Sequence, residues 1–125
     1  MGSVIAGYYR SPFTRAMKGD LARVRPDDIA AEVVNSLISN LNLDPSLVED
    51  IIVGTAFPEG EQGFNLARII SFLSDLPESV PGVTINRFCG SSMQAIHDAA
   101  GRVAMGSGEA FIAGGVESMS RIPMT

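Results

Sequence analysis

Four short apolar runs, separated by longer segments with helical punctuation, constrain this chain more than any other feature of its sequence. Ser3–Tyr8 has the composition of a buried strand, and Ile51-Ile52-Val53-Gly54 forms the second run, stopped by its glycine. Val83–Asn86 is rich in β-branched residues and makes the third strand, and Ala110–Ala113 the fourth, ending in Gly114-Gly115. Between the first two runs, Pro26 stands where first-turn prolines belong, with Asp27 and Asp28 at the positive end of the helix dipole. Ile29, Val33, Leu37 and Leu41 follow at four-residue spacing and predict one apolar helix face, which Asp44-Pro45 terminates. Asn65 is placed to cap a second helix that buries Leu66, Ile69, Ile70 and Leu73. Ser91 and Gln94 have capping-box spacing, so a third helix starts within a residue or two of Cys89 and runs to about Met105, where Gly106-Ser107-Gly108 breaks it. Strand and helix alternating so regularly predict an α/β fold, a mostly parallel sheet with helices on both faces.

At 125 residues the chain has room for one domain with a real core and not for two. Nine basic against fourteen acidic residues leave a net charge of −5, which makes nucleic acid a poor partner because no counterions are released on binding. The apolar stretch Gly2–Tyr9 is far too short to span a bilayer and lacks the basic flank of a signal peptide, so the protein is read as soluble and cytoplasmic, with no membrane span. One cysteine and one histidine exclude an internal disulfide and a closed Cys/His zinc site. Asp27-Asp28 reads as a helix start and not as a metal pair. The Gly106-Ser107-Gly108 segment is followed by Phe111 and precedes a strand, which spoils a dinucleotide-binding fingerprint.

The informative stretch is Asn86-Arg87-Phe88-Cys89-Gly90-Ser91-Ser92-Met93-Gln94. A strand delivers Cys89 to a sharp turn, and a helix begins at once; in open α/β sheets, ligands gather at such strand ends. The N-terminal amides of a helix favour negative charge, so a thiolate placed there is stabilised. Gly90 leaves room beside the sulfur for a bulky thioester. The serine elbow of hydrolases does not fit, because Gln94 stands where the last glycine of that motif belongs. These features make Cys89 the candidate nucleophile. From Cys89 to Gly108, 11 of 20 residues are Gly, Ala or Ser, which predicts a central helix that other backbones approach closely.

Here a resemblance becomes specific. V-P-G-V-T-I-N-R-F-C-G-S-S-M-Q-A-I-H-D-A-A (Val80–Ala100) resembles the nucleophile segment of thiolases, and I-A-G-G-V-E-S-M-S (Ile112–Ser120) resembles their second signature. Y-R-S-P-F (Tyr9–Phe13) and I-V-G-T-A-F-P-E-G-E-Q-G (Ile52–Gly63) fit the same family in order and spacing. C-G-S-S-M-Q is similar to the form found in thiolase subunits of bacterial fatty-acid oxidation complexes. The resemblance implies the N-terminal half of the thiolase fold. Residues 1–118 would be the N-terminal domain, incomplete here, and 119–125 the start of the loop domain.

It also implies a mechanism: the Cys89 thiolate attacks the ketone carbonyl of a 3-ketoacyl-CoA, releases acetyl-CoA, and passes its acyl group to a second CoA. The Cys89 amide would help hold the thioester oxygen. Coenzyme A is then a substrate, and no cofactor is implied. Acyl-CoA and CoA are the small-molecule partners; a second copy of the chain and a hydratase/dehydrogenase subunit of a fatty-acid oxidation complex are the protein ones. The family's catalytic histidine (G-H-P) and second cysteine (C-x-G) have no counterpart in this sequence, so the chain by itself is expected to be inactive. His97 cannot replace that histidine, since eight helical residues separate it from Cys89 by ~12 Å. Glu117 is read as holding loop backbone near Cys89, and the Arg10, Arg15 and Lys18 cluster as a solvated loop. Two other readings stay open: a decarboxylating β-ketoacyl synthase of the same fold, and a non-catalytic dimerising module.

Overall fold

The computed structural model describes residues 2–122. Its elements are helix α1 (Pro26–Leu41), strand β1 (Asp50–Gly54), helix α2 (Leu66–Leu73), strand β2 (Gly82–Ile85), helix α3 (Ser91–Ala104) and strand β3 (Phe111–Gly115), with single 3-10 turns at Pro45–Leu47 and Gly60–Gln62. The three strands form one parallel sheet in the order β2-β1-β3. β1 is central and buried along its whole length, which is why Ile51-Ile52-Val53 within it is a continuous apolar run without alternation.

The register shows how the layers are arranged. Gly82 lies opposite Ile51, and a Cβ on it would meet the Ala67–Arg68 backbone of α2. Gly54, three residues along from Ile51, points the other way, against the Ser91–Ser92 backbone of α3. Helices α2 and α3 therefore cover opposite faces. The principal core lies on the α2 face, where Ile51, Val53 and Ile112 meet Leu66 and Ile70, with α1 packed behind through Ala31, Val34 and Ile38.

Local chemistry accounts for the helix ends. Pro26 opens α1, and buried Asp27 is gripped by the Arg25 guanidinium at 3.0 and 2.7 Å, so this aspartate is a helix-start anchor. α1 stops at Leu41 because Asn42 takes the left-handed conformation (φ 49°), three residues before Pro45. Asn65 caps α2 by accepting the Arg68 N–H at 3.4 Å, and its amide also donates to Gly82 O at 2.7 Å, tying the helix start to β2. Arg102 pairs with Asp50, fixing the far end of α3 to the start of β1.

Three expectations fail. Ser3–Tyr8 forms no strand: Val4, Ile5 and Tyr8 are 88%, 79% and 88% exposed. A strand needs a partner for its amides and carbonyls, and a groove of ≈ 1060 Å³ lies between this segment and β3. The face made by Ile29, Val33, Leu37 and Leu41 lines that groove, and only Leu37 of it packs against the core, whose buried stripe on α1 is Ala31, Val34 and Ile38. On α2, Leu66 and Ile70 are buried as expected, but Leu73 is 48% exposed and Ile69 only half-buried.

Candidate active site

Three loops meet at the carboxyl ends of the strands: Thr55–Gly63 after β1, Asn86–Gly90 after β2, and the segment from Val116 after β3. They are stitched together at the rim, where Thr55 N–H donates to Ile85 O and Val116 N–H to Gly54 O, each at 3.1 Å. Helix α3 begins directly on this rim. A Cβ on Gly54 would lie 2.4 Å from the Ser91 carbonyl carbon, and one on Gly115 would lie 2.7 Å from Ser92 Cβ. Gly54 and Gly115 are ladder partners, so two adjacent glycines form a saddle on which the helix start rests. That saddle sets the height of the turn carrying Cys89.

The turn is held in an uncommon conformation. Phe88, just before the cysteine, has φ 48°, a left-handed setting that costs a non-glycine residue about 1 kcal/mol. Asn86 Oδ1 accepts the Phe88 N–H at 2.8 Å, while Ser91 Oγ donates to Phe88 O at 2.6 Å and accepts the Arg87 N–H at 2.8 Å. Ser91 is buried and closes the elbow from beneath. The helix starts where the sequence predicts, but not through a capping box: Gly90 is the N-cap, and Ser91 braces the turn preceding it. Gln94 bridges Arg87 and Asp98 at 2.8 and 2.7 Å. Cys89 itself is exposed, and its N–H donates to no acceptor among the described residues.

Glu117 lies two residues beyond β3. Its carboxylate accepts the Ala56 N–H at 2.6 Å and Gln62 Nε2 at 2.7 Å, so it holds the loop after β1. Gln62, fully buried, also donates to Phe57 O at 2.9 Å and accepts the Ser118 N–H at 2.6 Å. A second tie joins the same loops further out, where Arg121 forms a two-pronged ion pair with Glu61, and Arg25 approaches Glu61 at 3.3 Å. The hydrogen-bonded Arg121 guanidinium holds the Glu61 carboxyl below the usual carboxylate range, and Glu61 in turn raises Arg121.

The structure separates the remaining candidates. His97 sits two turns along α3, exposed to solvent and away from the elbow. Arg10, Arg15 and Lys18 are exposed, the Arg10 guanidinium resting on Ser11 O and 5.2 Å from the Phe13 ring centroid. Gly106 has φ 74° and ends α3, as a helix-stop glycine does. The small residues of α3 do not make it buried on most sides: Met93 and Ile96 are 64% and 46% exposed, and a Cβ on Gly101 would meet nothing within 4 Å. No described element lies against that side of the helix. Sequence reasoning missed Gln62, Ser91 as a brace, and the Gly54–Gly115 saddle. Only the saddle left a trace, as glycines closing two of the strand runs.

Fold and site together define a parallel α/β protein that presents an exposed cysteine on a braced turn between a strand and the start of a helix. Comparison with known proteins makes the family explicit: the thiolase N-terminal domain matches residues 3–125, and the chain belongs to the thiolase family. A 3-ketoacyl-CoA thiolase of Aeromonas salmonicida (strain A449) is 46% identical over 123 residues, covering 98% of this chain and 32% of that protein. One from Bacillus subtilis (strain 168) is 44% identical over 122 residues, 98% of this chain and 31% of the relative. The crystal structure of the Bacillus anthracis acetyl-CoA acetyltransferase superposes with a TM-score of 0.87 at 35% identity, over 94% of this chain and 29% of that one. The chain thus spans about a third of the length of the curated relatives it matches. Among the described residues no helix is long and apolar enough to cross a membrane.

Proposed function

We propose that this chain supplies the nucleophile-bearing part of a thiolase-type acyltransferase, with Cys89 as the residue that carries the acyl group. The observation behind this reading is the elbow: an exposed thiol held at the start of a 14-residue helix by a left-handed Phe88, on the carboxyl edge of a parallel sheet. The thiolate attacks the ketone carbon of a 3-ketoacyl-CoA. The bond between that carbon and the acetyl-CoA unit breaks, its electron pair takes a proton, and acetyl-CoA leaves. The thiol of a second CoA then displaces Cys89 from the acyl group, which is ping-pong chemistry. The unengaged Cys89 N–H is available to the thioester oxygen.

The reaction needs a base and an acid besides Cys89. In this reading, they come from the histidine and second cysteine of the family's C-terminal half, and the 125 residues alone do not turn over. Residues 1–118 then belong to the N-terminal domain and 119–125 open the loop domain, of which 123–125 lie outside the described residues. Strand β2 is an edge of the sheet, and a second copy of the chain pairing along it would give a homodimer. A hydratase/dehydrogenase subunit of a fatty-acid oxidation complex and a cytoplasmic setting complete the proposal. CoA serves as substrate, with no further cofactor.

The test is acyl trapping. Full-length protein incubated with acetoacetyl-CoA gains an acetyl mass on Cys89, and Cys89→Ser abolishes both the adduct and turnover. His97→Gln retains most activity. An adduct elsewhere, or a dead His97→Gln variant beside an active Cys89→Ser, would place the chemistry on another residue.

A further inference from the structure

We propose that Glu117 and Gln62 are positioning residues for Cys89, acting through Ala56 and Asn86; this rests on the reading of Cys89 as nucleophile. The path is continuous on hydrogen-bond geometry. Glu117 Oε1 accepts Gln62 Nε2 at 2.7 Å and Oε2 accepts the Ala56 N–H at 2.6 Å. The carbonyl of the same Ala56 accepts Asn86 Nδ2 at 3.1 Å, and Asn86 Oδ1 accepts the Phe88 N–H at 2.8 Å. Phe88 is the left-handed residue whose peptide leads into Cys89. A chain of bonds thus runs from the loop after β3, through the loop after β1, into the turn after β2.

The chemistry of the groups explains why these residue types stand here. Glu117 meets donors at both oxygens: Ala56 N–H, Gln62 Nε2 and, at 3.4 Å, Thr55 Oγ1. An ionised carboxylate is acceptor-only and serves all of them, whereas an amide would turn its NH₂ toward one of the two short contacts. Among the described residues no basic side chain forms an ion pair with Glu117, so its ligands are neutral donors on the two loops it joins. Gln62 is 0% exposed, and both ends of its amide are engaged, so the far end of the path cannot shift without leaving a buried polar group unpaired. A rigid anchor at one end and a strained residue at the other are what a positioning device requires. Without the path, the Asn86 side chain loses the contact that aims it at Phe88.

The experiment compares Glu117→Gln, Asn86→Ala and the double variant in full-length protein, by Cys89 alkylation with iodoacetamide and by kcat and KM with acetoacetyl-CoA, well below each variant's Tm. Each single change is expected to slow alkylation and lower kcat about tenfold, with KM within about twofold of the parent, since misplacing a reacting group by ~1 Å has effects of this order or larger. The double variant is expected to be no worse than the worse single one, because both changes cut one path. Lower Tm with unchanged alkylation and kcat, or additive effects in the double variant, would overturn the proposal. Should Glu117→Gln not fold, exposed Asn86→Ala carries the test alone, and parent-like alkylation there refutes it. Should Cys89→Ser remain active, the nucleophile reading falls, while the alkylation rates still report on positioning.

Discussion

Replacing Gly54 by alanine probes the saddle beneath α3 directly. Gly54 is absent from the positive-φ residues, so an alanine there suffers no backbone penalty and its effect is steric alone. The added Cβ would lie 2.4 Å from the Ser91 carbonyl carbon, 2.5 Å from Ser92 N and 2.7 Å from Ser91 Cβ. Ordinary contacts fall near 3.5–4 Å, so a gap of about 1 Å must open against main chain, which cannot swing aside as a side chain does. Overpacking of this kind costs typically 1–3 kcal/mol, and the rigid obstacle puts Gly54→Ala at about 3 kcal/mol. For a domain of this size that is a fall in Tm of roughly 12 °C. Lifting the helix start also carries Cys89 with it, so alkylation slows even where the variant remains folded. Gly101→Ala in the same 125-residue chain is the counterpart: its Cβ meets nothing within 4 Å, and mid-helix alanine is favoured over glycine by about 1 kcal/mol. Circular dichroism melts and iodoacetamide kinetics read both. A Gly54→Ala protein that melts and alkylates like its parent, or the same sign of shift for the two variants, would show that the saddle does not set the helix position.

The other expectations are narrower. Arg121 lowers the folded-state pKa of Glu61, so the pair's stabilisation is present at neutral pH and is lost as pH falls through that lowered folded value. Glu61→Gln is therefore expected to melt below the parent at pH 7, with the gap narrowing as the pH is lowered into the acid range; a gap that stays constant on acidification would rule out the ion pair as the cause. For the proposed β2 edge, light scattering of full-length protein is expected to show a dimer that Thr84→Pro weakens, since proline removes a ladder donor. Thr84 Oγ1 also accepts the Ala67 N–H at 2.9 Å, so Thr84→Val, which keeps the backbone donor, must remain dimeric for that conclusion to stand.

Much of this architecture was legible in the sequence because it depends on local signals. Pro26 with two aspartates, Asn65 before Leu66, and glycines closing β-branched runs each specify an element through chemistry within a few residues. The placement of Cys89 between a strand and a helix could be read for the same reason. What failed depends on partners distant in sequence. Ser3–Tyr8 has strand composition, but no neighbouring backbone meets it across the groove, and the apolar face chosen on α1 was the one lining that groove. Ser91 and Gln94 carry a capping pattern, yet the left-handed Phe88 turns their side chains to other work. The Gln62–Glu117 contact spans 55 residues of sequence, and nothing near either residue announces it.

The parallel register also fixes the order in which geometry becomes available as the chain assembles. Among the described residues no two strands are joined by a hairpin: Ile51 pairs with Gly82, and Asp50 with Phe111, so each ladder closes a long stretch of chain before any of its bonds can form. Closures of this kind are entropically costly at the outset and slow relative to local contacts. Helix α3 can wind early, but half of the saddle beneath it is Gly115, on the strand whose ladder spans the longer loop. The cysteine turn thus reaches its working shape only with the most distant pairing in the sheet, and until then the apolar length of β1 has one side open to other chains.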